Sequence, residues 1–296
     1  MNIRTLKHFM ALAETLHFGR ASDACNISLS ALSRNIRQLE EELGSLLFNR
    51  DNRTVALTPE GQKFVHYARE AIVQWDHIRN ELADDTDQLH GEISLYCSVT
   101  ASYSILFELL NQFRRDHPEI DLKLHTGDPN HAIAHILDGE EDLAIAALPR
   151  SLPRGLAFKP ITTSPLLFIA PIQQQDPDVP TTPPSSAQQW AQVPMILSEG
   201  GVARKSIDAW FRQMGISPRI YAQVTGNEAI VSMVSLGLGI GVVPKIVLDN
   251  SPLVDRIQIL DVSPTLEPFE VGLFTLKKNL KNPLVNAFWS VIPENE

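Results

Sequence analysis

The N-terminal part of the chain places its hydrophobic and polar residues with the period of short helices. Apolar side chains recur in this way at Ile3, Leu6, Phe9, Met10 and Ala13. That spacing predicts a first helix. Two more short helical patterns meet at a polar turn between Phe18 and Arg37, and Ser28 is placed to cap the second of them by accepting a backbone N–H. Two helices joined in this way are typical of a helix-turn-helix.

The second of these two helices has one apolar and one polar face. At about 100° per residue, its apolar side carries Leu32, Ile36, Leu39 and Leu43. The opposite side carries Ser30, Ser33, Arg34 and Arg37. Arginine can bind guanine through O6 and N7 or bind a phosphate, and serine is short enough to reach a base edge. The polar face indicates a surface that reads DNA, although the solvated face of an ordinary helix has the same spacing.

A hairpin is predicted after Gly44. Two short runs typical of strands flank the turn pair Asp51-Asn52, and Arg50 and Arg53 stand beside that turn. A hairpin in this place is the wing of a winged helix. Its two arginines could contact a flanking phosphate backbone or a narrow minor groove. The alternative is an ordinary solvated hairpin.

A long helix is predicted to start at Thr58-Pro59-Glu60. The threonine can cap it, the proline fits the first turn without losing a hydrogen bond, and the glutamate favours the positive end of the helix dipole. Steps of three and four residues then build an apolar seam from Phe64, Ala68, Ala71, Trp75, Ile78 and Leu82. Such a seam is typical of helices that pair lengthwise, so we predict a dimerisation helix. The alternative is that the seam packs on its own domain.

Strand-like and helical patterns alternate from Gly91 onward. Strands are predicted at 91–100, 120–124, 142–146, 166–170, 195–198, 220–224, 239–243 and 269–275. Helices are predicted at 103–117, 130–137, 204–214, 228–236 and 283–291. This alternation predicts an α/β domain with a mainly parallel sheet. The segment 173–189, which is rich in Pro, Gln and Ser, is expected to be a surface loop.

The composition limits what kind of protein this is. The chain has 296 residues, 44% of them hydrophobic, which is enough for a sizeable core and two or more domains. The formal net charge of -10 argues against coating nucleic acid by bulk electrostatics, so any DNA contact must be local. Cys25 and Cys97 lie in different predicted domains and indicate neither a disulfide framework nor a metal site. Because the sequence has no signal-peptide core and no long apolar run, we expect a soluble protein of the reducing cytoplasm.

Two local motifs imitate other kinds of site. Gly237, Gly239 and Gly241 resemble a nucleotide-binding loop, but they follow a predicted helix and enter a strand, which reverses the order that such a loop needs. His131 and His135 have metal-ligand spacing on a predicted helix, with His125 nearby. No H-E-x-x-H pattern or neighbouring cysteine accompanies them. We therefore predict solvated histidines, and neither a metal nor a cofactor.

In the order of its parts, the whole chain resembles the LysR-type transcriptional regulators. The most specific stretch reads R-A-S-D-A-C-N-I-S-L-S-A-L-S-R-N-I-R-Q-L-E-E-E-L-G and is followed by L-F-N-R and L-T-P-E-G. The resemblance implies an α/β fold class with an N-terminal winged helix-turn-helix, a long dimerisation helix and a two-lobed α/β effector domain similar to periplasmic binding proteins. The implied domains are 1–58, 59–89 and 90–296, with one lobe near 90–160 and 266–296 and the other near 161–265.

The resemblance also implies roles for individual residues. DNA contacts fall on Ser28, Ser30, Ser33, Arg34, Arg37, Arg50 and Arg53. Leu29 departs from the glutamine or other polar residue often found at its position. The walls of the effector cleft fall on Ser98, Thr100, Thr126, Asp128, Ser198, Gly200, Gly201, Val202, Thr225 and Glu228. These are strand ends that lead into helix starts, where free N–H groups and hydroxyls favour a carboxylate. The alternative is that Ser98 and Thr100 only cap a helix.

The partners implied by the resemblance are a double-stranded DNA operator, a small-molecule inducer and further copies of the chain. The copies would form a homodimer that assembles into a tetramer. No membrane is implied as a partner. T-G-D-P, E-D-L-A-I-A and L-D-N-S-P are similar to stretches in family members that regulate branched-chain amino-acid biosynthesis. That similarity implies an activator whose inducer is a 2-hydroxy-3-keto acid, such as acetolactate or acetohydroxybutyrate.

Two rival functions remain beside this one. The chain could be a LysR-type regulator of another pathway that responds to a different small acid. It could also be an enzyme or a solute-binding protein joined to a DNA-binding module. Because no arrangement of nucleophile, base and oxyanion donors emerges from the sequence, we expect that the chain is not an enzyme.

Overall fold

The computed structural model describes residues 1–50, 54–81, 89–174 and 176–293. It separates into two compact units, Met1–Leu89 and His90–Glu296. The described part of the first unit contains α1 (Ile3–Thr15), α2 (Phe18–Ala24), α3 (Leu29–Leu43), the paired strands β1 (Phe48–Arg50) and β2 (Val55–Leu57), and α4 (Pro59–Glu81). This order confirms the predicted helix-turn-helix, hairpin and long helix.

Local side-chain chemistry sets the helix ends of the first unit. Asn2 Oδ1 accepts the N–H of Thr5 at 2.9 Å before α1. Ser28 Oγ accepts the N–H of Ala31 at 3.2 Å, so the predicted cap of α3 is confirmed. Gly44, with a φ of 65°, ends α3 in the left-handed conformation that glycine adopts without strain.

The core of the first unit forms where its four helices and the hairpin meet. Its large side chains that are no more than 1% exposed are Phe9, Leu12, Leu32, Ile36, Leu39 and Phe48. Burying an apolar side chain of this size contributes about 1.5–3 kcal/mol. Leu43 was predicted on the same apolar face but is 41% exposed, because α3 ends at this residue and reaches past the core.

The second unit contains all the predicted strands and helices, together with further strands and short helices that the pattern did not predict. Its elements are β3 (Gly91–Cys97), α5 (Val99–Tyr103), α6 (Ile105–Asp116), β4 (Ile120–Thr126), α7 (Ala132–Leu137), β5 (Leu143–Ala147), β6 (Leu156–Ser164), β7 (Leu166–Pro171), α8 (Ala187–Gln192), β8 (Pro194–Ser198), α9 (Gly201–Gln213), β9 (Arg219–Val224), α10 (Asn227–Ser235), β10 (Ile240–Pro244), α11 (Lys245–Asp249), β11 (Ile257–Leu260), β12 (Phe269–Leu276) and α12 (Pro283–Val291). Short 3-10 turns lie at Pro129–His131, Val254–Arg256 and Lys277–Lys281.

These elements form two lobes, each built on one five-stranded sheet. The sheet of lobe I has the order β4-β3-β5-β12-β6, and the sheet of lobe II has the order β11-β7-β10-β8-β9. The chain passes from lobe I to lobe II between β6 and β7, and it returns between β11 and β12. Inner strands of both sheets are almost fully buried, as at β8 and β10.

Both sheets are mixed, so the prediction of a mainly parallel sheet was wrong. In lobe I, β3 pairs parallel with β4 and β5, whereas β12 pairs antiparallel with β5 and β6. In lobe II, β8 pairs parallel with β9 and β10, whereas β7 pairs antiparallel with β10 and β11. The antiparallel partners come from distant parts of the chain, as with Phe269 opposite Ser164. The spacing of apolar residues within a strand does not reveal which distant strand pairs with it, or in which direction.

Smaller departures have local causes. The predicted helix at 103–117 is split, because Ser104 leaves the helical conformation between α5 and α6. The short helix α8 begins within the segment that was predicted as a loop. The glycine motif follows α10 and enters β10, which confirms the predicted order of helix before strand. At Gly241 a side chain would approach Ile230 to 2.5 Å, so this glycine serves close packing.

Candidate nucleic-acid interface and ligand cleft

The polar side of α3 forms an exposed surface of the first unit, which we call the reading face. It consists of Ser28, Ser30, Ser33, Arg34 and Arg37, all of them exposed except the half-buried Ser33. Within the ranges that the structure describes, Arg34 and Arg37 have no hydrogen-bond or ion-pair partner. Leu29, at the start of the helix, is 55% exposed. Two uncommitted guanidinium groups on one rigid helix can bind base edges or phosphates.

Glu40 joins the hairpin to α3 beside the reading face. Its carboxylate is 6% exposed, and Oε1 accepts the N–H groups of Leu47 and Phe48 at 2.9 and 3.2 Å. Its Oε2 lies 2.5 Å from Arg50 Nη2. A buried carboxylate needs such partners because it has lost its contact with water. Glu40 therefore fixes the position of the hairpin beside the reading face.

Arg50 is not the free cation that the sequence predicted at the wing. Its guanidinium pairs with Glu40 and lies 5.3 Å from the centre of the Phe18 ring. These contacts hold the side chain against the body of the unit. A phosphate contact by Arg50 stays a prediction, and Arg53 lies outside the described residues.

The apolar seam of α4 divides into two parts. Ala68 is fully buried, and Phe64 and Ala71 pack against the core of the same unit. The rings of Phe64 and Phe9 are 4.9 Å apart. Ala68 is therefore not available to a partner helix, whereas a dimer contact by Phe64 and Ala71, which stay partly exposed, remains a prediction. Trp75 and Ile78 are 49% and 42% exposed, and Leu82 lies outside the described residues.

A cavity of about 270 Å³ lies between the two lobes of the second unit. The predicted residues Ser98, Thr100, Asp128, Ser198, Gly200, Gly201 and Val202 line it. Thr126, Thr225 and Glu228 do not line it. Thr126 and Thr225 stand at the ends of the edge strands β4 and β9, before the chain turns toward the cavity. The sequence identified the strand ends correctly but not which sheet positions face the cleft.

The wall from lobe II has the properties of an anion site. Strand β8 ends at Ser198, and α9 begins at Gly201. Ser198 is 7% exposed, and its Oγ has no hydrogen-bond partner in the described structure. The thirteen-residue α9 has no side-chain cap, so its first N–H groups and positive dipole end are open to a ligand. Lys205 is the only cationic residue in the described lining.

On the lobe I wall, the hydrogen-bond donors at the start of α5 are already paired with protein acceptors. Ser98 Oγ accepts the N–H of Ala101 at 3.2 Å and so caps α5. The N–H of Thr100 donates to Glu228 Oε1 at 3.1 Å, and the Thr100 hydroxyl donates to the same oxygen. Thr100 is 2% exposed. The expectation that free donors follow Val99 was therefore wrong, since a side chain of lobe II already occupies them.

The cleft also contains polar residues that the sequence reasoning missed. They are Asn130 and Lys205. Asn227, between the predicted residues Thr225 and Glu228, lines the cavity with them. Asn130 and Gly201 are in close contact across the cleft, since a side chain at Gly201 would come 1.8 Å from Asn130 Oδ1. Lys205 could have been found from its place near the start of a helix that follows a strand. Asn130 gave no comparable signal.

Among the described residues, no three His, Cys, Asp or Glu side chains lie close enough together to hold a metal ion. No helix in the described ranges combines the length and the apolar character needed to cross a membrane. Burial raises the pKa of the Cys97 thiol to about 12. That thiol, directly before Ser98, is therefore protonated and is a poor nucleophile.

A helix-turn-helix with exposed arginines, joined to a two-lobed unit with a cleft between its lobes, is the architecture of a DNA-binding transcriptional regulator that responds to a ligand. The chain belongs to the LysR family. Residues 3–62 match the bacterial regulatory helix-turn-helix protein family of lysR type, and residues 86–295 match the LysR substrate binding domain.

Known proteins resemble the chain over its full length. It is 43% identical to the HTH-type transcriptional activator IlvY of Salmonella typhimurium over 302 aligned residues, which cover 99% of this chain and 100% of the relative. A full-length OxyR variant from Pseudomonas aeruginosa superposes with a TM-score of 0.69 at 23% identity, covering 99% of this chain and 94% of the other. CbnR in complex with its target DNA gives a TM-score of 0.65 at 22% identity, covering 99% of each chain. The two structures show a shared fold.

Proposed function

We propose that this regulator activates genes of branched-chain amino-acid biosynthesis in the cytoplasm when it binds a small 2-hydroxy-3-keto acid, such as acetolactate or acetohydroxybutyrate. The observation that carries the proposal is the similarity to an IlvY activator over the whole of both chains. Because the similarity includes the DNA-binding and the effector unit, it supports a shared type of operator and a shared class of effector. The regulator acts by binding and does not turn the acid over.

The proposed division of work follows three segments. Residues 1–58 bind a double-stranded operator, with the reading face of α3 in the major groove and Arg50 and Arg53 near the flanking backbone. Residues 59–89 link and dimerise the protomers, and 90–296 bind the effector. The free guanidinium groups of Arg34 and Arg37 support the first of these roles.

The proposed position of the effector places its carboxylate on the lobe II wall. Ser198 Oγ, the N–H groups at the start of α9 and Lys205 together offer hydrogen bonds and positive charge. The hydroxyl and keto groups of the acid can then face the asparagines Asn130 and Asn227. The apolar part of the lining, which includes Ile133 and Val247, suits the short alkyl group of the acid.

Calorimetric titration of the purified chain with acetolactate, combined with footprinting on DNA upstream of its own gene, tests the proposal. We expect binding of the acid, recovery of the acid unchanged, and a footprint whose pattern changes when the acid is added. Coupling between the two ligands of about 1–3 kcal/mol is usual for such regulators. A footprint that does not respond to acetolactate or acetohydroxybutyrate, but responds to another small acid, would assign the chain to another pathway.

The proposed homodimer, and a tetramer built from it, are tested at Trp75. This side chain is 49% exposed although it is large and apolar. In a paired helix, Trp75→Glu would bury a charge, which costs several kcal/mol, so we expect sedimentation to show a monomer with weakened operator binding. His66→Glu places the same charge on the exposed opposite side of α4 and should leave assembly intact. Equal assembly of both variants would remove α4 from the interface.

A further inference from the structure

A carboxylate of lobe II reaches across the cleft and accepts hydrogen bonds from lobe I. Glu228, in the first turn of α10, accepts two hydrogen bonds from Thr100, in the first turn of α5. One comes from the backbone N–H at 3.1 Å, and the other comes from the hydroxyl. Thr100 lines the cavity, as does Asn227, the residue directly before Glu228. The bridge therefore stands at the edge of the ligand cleft.

The bridge uses donors that the helix itself cannot satisfy. N–H groups in the first turn of a helix have no acceptor inside that helix. In α5, Ser98 Oγ takes the N–H of Ala101, and Glu228 takes the N–H of Thr100. An effector carboxylate can reach Thr100 only if Glu228 leaves. An effector held on the lobe II wall also brings a second negative charge near that of Glu228, which raises the free energy of the bridge.

The Glu228 carboxylate has alternative hydrogen-bond donors at the start of its own helix. It lies in the first turn of α10, whose N-cap residue is Gly226 and which has no side-chain cap. A carboxylate in the first turn is stabilised by the positive end of its own helix dipole and by the uncapped N–H groups there. Release from Thr100 therefore exchanges one set of donors for another. An exchange of this kind can be shifted by a ligand.

We propose that Glu228 is an internal competitor of the effector, which holds the lobes together through Thr100 until an anionic ligand enters the cleft. This inference rests on the proposed function in one respect, namely that the effector is a small acid. The bridge itself needs no ligand. Entry of the acid displaces Glu228 from Thr100, and this displacement changes the contact between the lobes.

Three variants of the full chain separate the elements of the proposal. Glu228→Gln removes the charge, but its amide oxygen can still accept both hydrogen bonds from Thr100. Glu228→Ala removes the charge and the bridge. Glu199→Gln is the matched control, because Glu199 is an exposed acid between the lining residues Ser198 and Gly200, whereas the acceptor for Thr100 is Glu228.

The first measurement is hydrogen exchange of the segment 98–104 without any ligand. We expect the Thr100 amide to be protected in the wild type, in Glu228→Gln and in Glu199→Gln, because each retains an acceptor. In Glu228→Ala the amide should exchange faster, as an unpaired first-turn N–H does. Unchanged protection in Glu228→Ala would show that the bridge does not form and would overturn the proposal.

The second measurement is calorimetric titration of the same proteins with acetolactate. Removing the competitor in Glu228→Ala should tighten binding by about fivefold or more, the lower end of common coupling strengths, whereas Glu228→Gln, which loses only the charge, should tighten binding less. Glu199→Gln should bind as the wild type does. Equal or weaker binding by both Glu228 variants would overturn the proposal, even if the amide is exposed in Glu228→Ala.

The two measurements keep this inference distinct from the proposed function. If the wild type binds acetolactate and the Glu228 variants bind it no better, the effector assignment stands and the internal competitor is rejected. If only the Glu228 variants bind it, the competitor is supported and acetolactate is rejected as the inducer of the natural protein. If no variant binds it, both are rejected.

Discussion

The reading face of α3 and the ligand cleft use their polar groups in opposite ways. On the reading face, Arg34 and Arg37 have no partner in the described structure and point from a rigid, capped helix. In the cleft, Thr100 is committed to Glu228, while Ser198 opposite has a buried hydroxyl without a partner. One surface is ready to bind as it stands. In the ligand cleft, the lobe II wall offers a hydroxyl without a partner, whereas the donors of the lobe I wall are already bound to Glu228.

This difference fits the two tasks of a regulator. A DNA-binding surface that is already formed loses little conformational entropy on binding. A sensor must have two arrangements with different affinities for its ligand, or binding changes nothing. The two arrangements here would be the cleft with the Glu228–Thr100 bridge formed and the cleft with that bridge broken. The comparison can therefore be tested by disturbing the support of the reading face, then its contacts, and then each wall of the cleft.

The largest effect is expected from Glu40→Ala. This change leaves Arg50 and the N–H groups of Leu47 and Phe48 without their buried acceptor. Leaving a buried N–H without an acceptor costs about 1–3 kcal/mol, and Leu47 and Phe48 are both buried, so the first unit should be much less stable while the second is unaffected. Hydrogen exchange in increasing urea, read separately for peptides of each unit, measures this.

Glu40→Gln is the control for that experiment. Its amide oxygen can still accept the two backbone N–H groups, but it cannot pair with Arg50 as an ion. We expect a loss clearly smaller than that of Glu40→Ala. Equal stability of all three proteins would show that the hairpin is held by its apolar contacts alone.

Arg34→Ala should have the next largest effect, on operator affinity. Loss of a bidentate base contact costs about 1–3 kcal/mol and relaxes the preference for the base concerned. Binding to operator and to random DNA should be compared by fluorescence anisotropy at one salt concentration. Arg115→Ala removes an exposed arginine from the second unit and serves as the control. If both variants bind the operator like the wild type, the reading face does not include Arg34.

In the cleft, Ser198→Ala should weaken acetolactate binding by about 1 kcal/mol or somewhat more without lowering stability. The hydroxyl has no partner in the described structure, so its removal leaves no protein group unpaired. Lys205→Met should weaken binding by a similar amount, whereas Lys277→Met, which removes an exposed lysine outside the cavity, should not. If calorimetry shows full affinity in Ser198→Ala and Lys205→Met, the carboxylate lies elsewhere.

The first unit could be predicted from the sequence because its structure follows from local rules. The period of Leu32, Ile36 and Leu39, the cap at Ser28 and the turn at Gly44 act within a few residues of each other. The exception is Arg50, whose partner Glu40 stands ten residues earlier. Helical period identifies Glu40 only as one of three consecutive glutamates. It does not show which of them is buried.

The cleft was harder to predict because its geometry depends on long-range pairing. The strand ends at Ser98 and Ser198 were recognised, since a strand followed by a helix start is a local pattern. Which strands lie at the edges of the sheets depends on pairing such as that of β12 with β6. The bridge from Glu228 to Thr100 spans 128 residues and appears in no local pattern.

The smallest effect is expected from His8, whose ring packs between α1 and α3. It is 5% exposed, and its Nδ1 lies 2.9 Å from Asn35 Nδ2. Burial, and to a lesser extent the charge of Arg4, hold the pKa of His8 below its ordinary value of 6.5. Asn35 then donates to the neutral ring. The support of the reading face thus contains a histidine that resists protonation.

The direction of the pH dependence follows from this shift. As the pH falls below 6.5, the unfolded chain takes up a proton that the folded chain does not, so the first unit loses stability until the pH reaches the lower pKa of the folded state. His8→Gln has no titrating ring but can still accept from Asn35, so it should lose less stability over this range. Equilibration in urea at several pH values, followed by a hydrogen-exchange pulse at one common pH, compares the two proteins. Parallel losses in both would mean that other groups set the acid sensitivity of the reading face.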